Sequence, residues 1–235
     1  EQSAAEFLNL FDAHLAISSG MQKDLFAVTP NKPIYLVYNP IKEAAPIARA
    51  QAVTKFVYLG RCEDRNKRVY ELLNIMKRLR GNWTLDIFGN GGDAPQEIAR
   101  IEAFIAAQLS AKVKFHGWQE NPWAMIEEAS ALLLHSNAND EVQPLVLCEA
   151  MIRGIPCVSS FCTSGLRDIF VPDKNGWLYD IDDEEACQKI LQAIIDKAVV
   201  LPPPQMVMET MRKFSTSQVT LNFIAALTNA QNQQN

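Results

Sequence analysis

The chain has 235 residues, of which 48% are hydrophobic and 21% charged, a composition typical of a folded globular protein and not of a disordered or collagen-like chain. Its net charge of −5 argues against a general nucleic-acid-binding surface, because such surfaces are basic. No apolar run approaches the ~20 residues that a membrane-spanning helix requires.

The N-terminal segment is predicted to form one βα unit that belongs to a separate sheet. A strand-like run at 15–17 lies between two helical stretches within residues 1–28. The proline-containing stretch 30–33 then interrupts the chain.

From residue 55 onward, short apolar runs alternate with segments in which apolar residues recur at helical spacing. Strands are predicted at 56–59, 85–88, 113–115, 131–134, 157–159 and 177–179, and helices at 69–76, 98–109, 122–128, 145–152 and 184–197. The continuous apolar run at 131–134 indicates a strand buried on both faces. Repeated βα units predict an α/β fold, a Rossmann-like parallel sheet with helices on both faces. Three prolines at 202–204 form a rigid spacer before a predicted helix over about 209–229.

Positively charged side chains follow the first strand of this sheet. Gly60 and Arg61 come directly after it, and Lys67 stands six residues past Arg61. Because ligands bind beyond the carboxyl ends of strands in open α/β sheets, we expect these residues at a binding site.

A second group of candidate residues follows the buried strand at 131–134. Pro144 suits the first position of the next helix, which would leave the amides of Leu145 and Val146 free at the helix start. Glu141 and Glu149 flank this helix start. Cations and free amides suit a diphosphate, and a carboxylate suits the paired hydroxyls of a ribose. Together the two groups predict a nucleotide-sugar pocket.

The segment 141–156, with Glu141 and Glu149 separated by seven residues, resembles the E-x7-E signature of retaining GT-B glycosyltransferases of family 4. Further matching pieces occur in the family's order, at 58–61 with Lys67, 88–91, 115–118 and 175–177. Within the family the chain is similar to enzymes that transfer galactose from UDP-galactose to the lipopolysaccharide core. The likeness covers about residues 10–185.

This resemblance implies a retaining hexosyl transfer from a UDP-sugar, with galactose as the expected hexose. Arg61 and Lys67 would hold the diphosphate and stabilise the departing UDP, and Glu141 would contact the donor sugar. Glu149 would bind the ribose. The donor-binding set that the resemblance implies is Gly60, Gly89, Gly117, Trp118, Pro144, Leu145, Val146 and Glu149. Val142 and Gln143 depart from the family, which usually has Gly and Phe after the first Glu.

The resemblance also implies a two-domain architecture. We expect residues 1–31 to be a remnant of an N-terminal acceptor domain, residues 32–200 to be the donor domain, and residues 201–235 to be a crossing helix and tail. The acceptor domain would precede residue 1, so this chain alone is expected to bind the donor without transferring the sugar. The implied partners are a UDP-sugar and, through the preceding domain, the lipopolysaccharide core, with no nucleic acid.

No metal or other cofactor is expected. The five cysteines are odd in number and form no C-x-x-C pair, which argues against a disulfide framework or zinc site and favours the reducing cytoplasm. Peripheral association with the inner face of the cytoplasmic membrane is an expectation from the resemblance. The string at 180–182 is interpreted as part of a helix N-cap and not as a metal motif.

Several alternatives stay open at this point. The chain could be a non-catalytic nucleotide-sugar-binding module or a GT-B UDP-sugar epimerase, and galactose is not distinguished from glucose. His135 could be a pocket wall or a core-edge histidine, and His116 is interpreted as structural. Trp118 and Trp123 could form an acceptor platform, although aromatic packing is commoner.

Overall fold

The computed structural model describes residues 4–91, 95–137 and 141–232. The strands are β1 His14–Ala16, β2 Ile34–Leu36, β3 Ala48–Arg49, β4 Thr54–Leu59, β5 Trp83–Phe88, β6 Val113–Phe115, β7 Glu128–Ala129, β8 Ala131–Leu134, β9 Cys157–Ser160 and β10 Gly176–Tyr179. The α-helices are α1 Ala4–Leu8, α2 Ser19–Val28, α3 Asp64–Lys67, α4 Val69–Lys77, α5 Pro95–Phe104, α6 Leu145–Met151, α7 Leu166–Ile169, α8 Glu184–Ile195, α9 Pro204–Glu209 and α10 Thr216–Asn232. A π-helical turn lies at Ile105–Leu109, and 3-10 turns lie at Pro122–Met125 and Arg212–Phe214.

The central sheet of the described residues has six parallel strands in the order β10-β9-β8-β4-β5-β6. From β4 the chain adds strands toward one edge, and from β8 it adds strands toward the other edge. β4 and β8 are neighbours in the middle of the sheet, with Phe56 paired to Ala131. Because right-handed crossovers from these two strands run to opposite faces, a crevice opens between their carboxyl ends.

Helices cover both faces of the sheet, as the sequence predicts. One buried cluster joins Tyr58 and Ile87 of the sheet to α4, α5 and α8. A second joins Leu59 and Leu132 to α6, α7 and α9. Every residue of Ala131–Leu134 is buried, which confirms the prediction made from its continuous apolar run.

The N-terminal βα unit forms a separate sheet, in which β1 pairs with β2 in parallel. It is attached to the larger sheet's helices through the start of α2. The Ser19 amide donates to Asp168 Oδ2 at 2.7 Å. A Cβ added to Gly20 would lie 1.8 Å from Ser164 Oγ, so only glycine allows this approach. The domain division at residue 31 stays a prediction, and β2 lies beyond it while pairing with β1.

Two predicted helices differ in the structure. The helix predicted at 122–128 is a short 3-10 turn, because Ile126 is extended and buried and the chain continues into β7, which pairs with β3. The helix predicted over 209–229 is interrupted at Ser215, which has an extended conformation. The interruption allows Phe214 to be fully buried ahead of α10.

Phe214 packs the C-terminal segment against the second buried cluster and the chain that follows β2. Its side chain is 0% exposed, its ring centroid lies 4.7 Å from that of Tyr38, and its carbonyl accepts from the Ile41 amide at 2.8 Å. We predict that Phe214→Ala lowers the free energy of unfolding by about 3–5 kcal/mol through cavity formation. The matched change Phe223→Ala, at a side chain that is 40% exposed, is expected to cost less than about 1 kcal/mol in chemical denaturation. Equal losses in the two variants would contradict this description of the packing.

Candidate functional site

The loops that follow β4, β5 and β6 are hydrogen-bonded to one another at the carboxyl edge of the sheet. The Gly60 amide donates to Phe88 O at 3.0 Å, and the Gly89 amide donates to Gly117 O at 2.9 Å. A Cβ added to Gly89 would lie 1.8 Å from Gly60 O. The glycines thus bring three loops together at the predicted site, and a larger residue at position 89 would push two of them apart.

Two adjoining cavities open beside these loops and form one cleft. The larger, of about 620 Å³, is bounded by Leu145, Val146 and Glu149 on one side. The smaller, of about 280 Å³, is bounded by Arg61, Gly89 and Trp118. Leu59, Gly60 and Pro122 border both. The structure therefore brings together, at one cleft, the predicted residues Gly60, Arg61, Gly89, Trp118, Leu145, Val146 and Glu149.

The start of α6 differs slightly from the prediction. Pro144 is the N-cap, with φ −64° and ψ 98°, and Leu145 is the first helical residue. The prediction that Pro144 occupies the first helical position is wrong by one residue, because its ψ is extended. The amides of Leu145 and Val146 still lie in the first turn, where backbone donors have no partner within the helix.

Lys67 and Glu141 do not border either cavity in the described structure. They form an ion pair with each other, although they are 74 residues apart in sequence. The Lys67 side chain is 8% exposed, and its ammonium also donates to Ser136 Oγ at 3.4 Å. Ser136 is the second residue after β8, and its amide donates to Ser160 Oγ at 2.9 Å. This network attaches the end of α3 to the ends of two strands.

Arg61 has a different environment from Lys67. Its side chain is 56% exposed and lies 3.1 Å from Glu63 Oε1. The Arg61 guanidinium at the cleft is therefore largely exposed to solvent, whereas the Lys67 ammonium is buried and paired with Glu141.

Glu149 contacts two residues that the sequence analysis did not place at the site with it. The Trp123 indole Nε1 donates to Glu149 Oε2 at 3.1 Å. The Arg153 guanidinium lies 4.3 Å from the centroid of the same indole, and its Nη1 donates to Glu149 O at 2.7 Å. Arg153 stands four positions after Glu149 on the helix, and this spacing was the available signal.

Gln143, where the resembled family has Phe, has a structural partner. Its Oε1 accepts from the Asn39 amide at 2.9 Å, and its Nε2 donates to Asn39 O at 3.4 Å. The side chain is 6% exposed. The Gln143 side chain therefore connects the loop before α6 to the segment that follows β2.

His135 is a fully buried core-edge histidine. Its Nε2 lies 2.9 Å from Glu71 Oε1, and its Nδ1 lies 2.6 Å from the Tyr179 hydroxyl. Because the carboxylate only accepts, Nε2 carries the proton and the tyrosine donates to Nδ1, which satisfies the neutral imidazole. Burial lowers the pKa of His135 below its ordinary value, and the opposing attraction of Glu71 is smaller.

The His116 ring stacks on Phe88, and its Nε2 lies 2.6 Å from Asp86 Oδ1. These contacts give His116 a structural role, as the sequence predicts.

The acidic string at 180–182 ends one residue before a helix cap. Asp183 caps α8 by accepting from the Ala186 amide at 2.8 Å, and Asp182 lies 3.3 Å from Arg68.

In the part of the chain that the structure describes, no three His, Cys, Asp or Glu side chains are grouped as a metal site would need. None of the described helices combines the length and apolar character that a bilayer crossing requires. The five cysteines are free and buried.

A doubly wound parallel sheet with a cleft at its switch point defines a Rossmann-like ligand-binding domain. Residues 42–213 match the model of the family Glycosyl transferases group 1, and the chain belongs to that family. This membership confirms the resemblance seen in the sequence.

The similar proteins include lipopolysaccharide galactosyltransferases. The chain is 35% identical over 189 residues to the lipopolysaccharide 1,6-galactosyltransferase of Escherichia coli (strain K12), covering 76% of this chain and 51% of that protein. It is 37% identical over 192 residues to the Salmonella typhimurium (strain LT2) protein of the same description, covering 76% and 52%. The structure of the lipopolysaccharide outer core galactosyltransferase WaaB, apo form, superposes with a TM-score of 0.84 at 32% identity, covering 94% of this chain and 63% of that one. The chain spans about half the length of the curated relatives it matches.

The Lys67–Glu141 pair gives a testable energetic coupling. Removing one partner leaves the other charge partly buried without its counter-ion, so Lys67→Gln should destabilise the wild-type protein more than it destabilises the Glu141→Gln variant. We predict a coupling of about 1–2 kcal/mol in a double-mutant cycle measured by urea unfolding. Additive effects would contradict a functioning ion pair.

His135 predicts a pH dependence of stability. Because the folded state lowers its pKa, the unfolded state binds more protons below the ordinary value of about 6.5. The contribution of His135 to the free energy of unfolding should be fully present above that pH and should decrease as the pH falls below it. His135→Gln is expected to reduce this fall, whereas His116→Gln, which retains His135, is expected to keep it. An unchanged profile in His135→Gln would contradict the neutral buried imidazole.

Proposed function

We propose that this chain binds a UDP-sugar and forms the donor half of a retaining hexosyltransferase acting on the lipopolysaccharide core, with galactose as the expected hexose. The observation that carries the proposal is the convergence of Gly60, Arg61 and Glu149 on one cleft at the sheet's switch point. Identity of 35% and 37% to two lipopolysaccharide 1,6-galactosyltransferases supports the hexose and the acceptor class.

The proposed donor lies along the joined cavities. Glu149, at the wall of the larger cavity, accepts hydrogen bonds from the ribose hydroxyls. Trp118 and the turn at Gly117 flank the base in the smaller cavity, whose edge Gly89 also borders. The first-turn amides of Leu145 and Val146, beyond the Pro144 cap, face the diphosphate together with Arg61.

The proposed chemistry depends on stabilising the departing UDP. Arg61 and Lys67 place positive charge where the diphosphate acquires negative charge. Electrostatic stabilisation of this kind is usually the largest single contribution to enzyme catalysis. Lys67 exchanges its contact with Glu141 for a phosphate oxygen, and Glu141 is then available to the hydroxyls of the sugar. The proposal includes no metal ion, since these two cations supply the charge.

The acceptor and the location of the protein are further parts of the proposal. The relatives are about twice as long as the matched region, and we propose that the lipopolysaccharide core binds in the part that this chain does not span. The proposed location is the cytoplasm, with peripheral association at the inner face of its membrane.

Calorimetric titration of this chain with UDP, UDP-galactose, UDP-glucose and ADP tests the proposal. We predict binding of the uridine nucleotides in preference to ADP, unchanged by EDTA, with affinity lowered at least about tenfold in Glu149→Gln because a charged acceptor of ribose hydroxyls is lost. Glu185→Gln is the matched control, since it removes the same charge from an exposed ion pair on α8. Equal affinities in the two variants, or equal binding of ADP, would overturn the proposal.

A further inference from the structure

We infer that Trp123 and Arg153 are positioning residues that fix the Glu149 carboxylate and so set the preference for a ribonucleotide over its deoxy analogues. The inference rests on the proposed function, in which Glu149 contacts the ribose. It adds two residues that act through Glu149.

The indole determines which carboxylate oxygen is available. Trp123 Nε1 donates to Glu149 Oε2 at 3.1 Å. The indole nitrogen donates one hydrogen bond and accepts none, so it can engage only one carboxylate oxygen at this distance. It thereby fixes the orientation of the carboxylate and leaves the other oxygen available to a ligand. Oε1 is the oxygen that this bond leaves uncommitted, and Trp123 and Glu149 border the same cavity.

Arg153 holds both members of this pair. Its guanidinium carbon lies 4.3 Å from the centroid of the Trp123 indole, and its Nη1 donates to Glu149 O at 2.7 Å. A planar guanidinium both stacks on an aromatic ring and directs its N–H groups in the plane, which a lysine ammonium does not do. Burial lowers the pKa of Arg153, and the nearby Glu149 opposes that change. The helix backbone at Glu149 and the indole from Pro122–Met125 are thus connected by one side chain.

The arrangement reduces the cost of ordering the carboxylate on binding. A free glutamate side chain loses up to about 2 kcal/mol of rotamer entropy when it is fixed. A carboxylate already oriented by Trp123 loses less, so more of its interaction with paired hydroxyls contributes to affinity. Only a ligand with both ribose hydroxyls gains from this lower entropy cost. The orientation of the carboxylate therefore contributes to the preference for a ribonucleotide over its deoxy analogues.

The test is titration of the chain with UDP, 2′-deoxy-UDP and 3′-deoxy-UDP. Trp123→Phe retains an aromatic ring under Arg153 but removes the N–H. We expect it to lower the affinity for UDP about fivefold and to change the affinity for the deoxy analogues much less, so that the ribose preference shrinks. Arg153→Lys keeps the charge but removes the planar contact, and the same direction of change is expected.

A double-mutant cycle separates positioning from direct contact. In the Glu149→Gln background, Trp123→Phe should lower UDP affinity by less than twofold, because the carboxylate that it orients is absent. The matched control is Trp118→Phe at the smaller cavity, which should lower the affinity for all three nucleotides alike. Near-ultraviolet circular dichroism confirms that each variant is folded.

The outcomes distinguish this inference from the proposed function. Wild-type binding of UDP with a ribose preference that Trp123→Phe and Arg153→Lys leave intact would overturn the inference alone. Equal losses for UDP and its deoxy analogues would also overturn it, since they would indicate direct contact or a general structural role. Absence of UDP binding by the wild-type chain would overturn the proposed function and this inference with it.

Discussion

The neighbouring positions of β4 and β8 in the parallel sheet constrain everything else in this structure. Their crossovers run to opposite faces, and a crevice therefore opens beyond their carboxyl ends. The segments that follow them therefore border a cleft. Gly60 directly follows β4, and the chain after β8 leads to the start of α6, which borders the same cleft. The family membership of the chain agrees with this placement, since its model spans both strands.

The charged side chains predicted for the site have two different environments. Arg61 borders the cleft and is exposed beside Glu63, whereas Lys67 lies outside both cavities and is buried against Glu141 and Ser136. A partly buried pair of this kind holds two opposite charges without leaving either uncompensated. In the proposed function both charges serve the donor once it enters, the cation at the diphosphate and the carboxylate at the sugar.

The sheet was predictable from the sequence because its signals are local. The apolar run at 131–134 indicates burial on both faces regardless of its neighbours, and the structure confirms it. The prediction of a helix at 122–128 was wrong because pairing with a distant strand determines the conformation at the end of this segment. The parallel pairing of Glu128–Ala129 with Ala48–Arg49 requires extended chain there, and no local pattern reports a partner about eighty residues away.

The candidate site was predictable in part for the same reason. Position after a strand identified Gly60, Arg61 and the start of α6, since topology alone brings such residues to one edge. The pairing of Lys67 with Glu141 and the contact of Trp123 with Glu149 depend on side-chain packing across the fold, which sequence spacing does not specify. The departure at Gln143 was visible in the sequence, but its partner Asn39 became apparent only from the folded structure.

We propose that the cleft beyond the carboxyl ends of β4 and β8 holds a uridine diphosphate, with Glu149 on the ribose. A crystal structure of this chain soaked with UDP would show the ligand itself. We expect the ribose hydroxyls within about 2.6–3.2 Å of the Glu149 carboxylate and the diphosphate beside Gly60 and Arg61. UDP bound away from this cleft, or bound within it with the ribose turned from Glu149, would exclude this mode of binding.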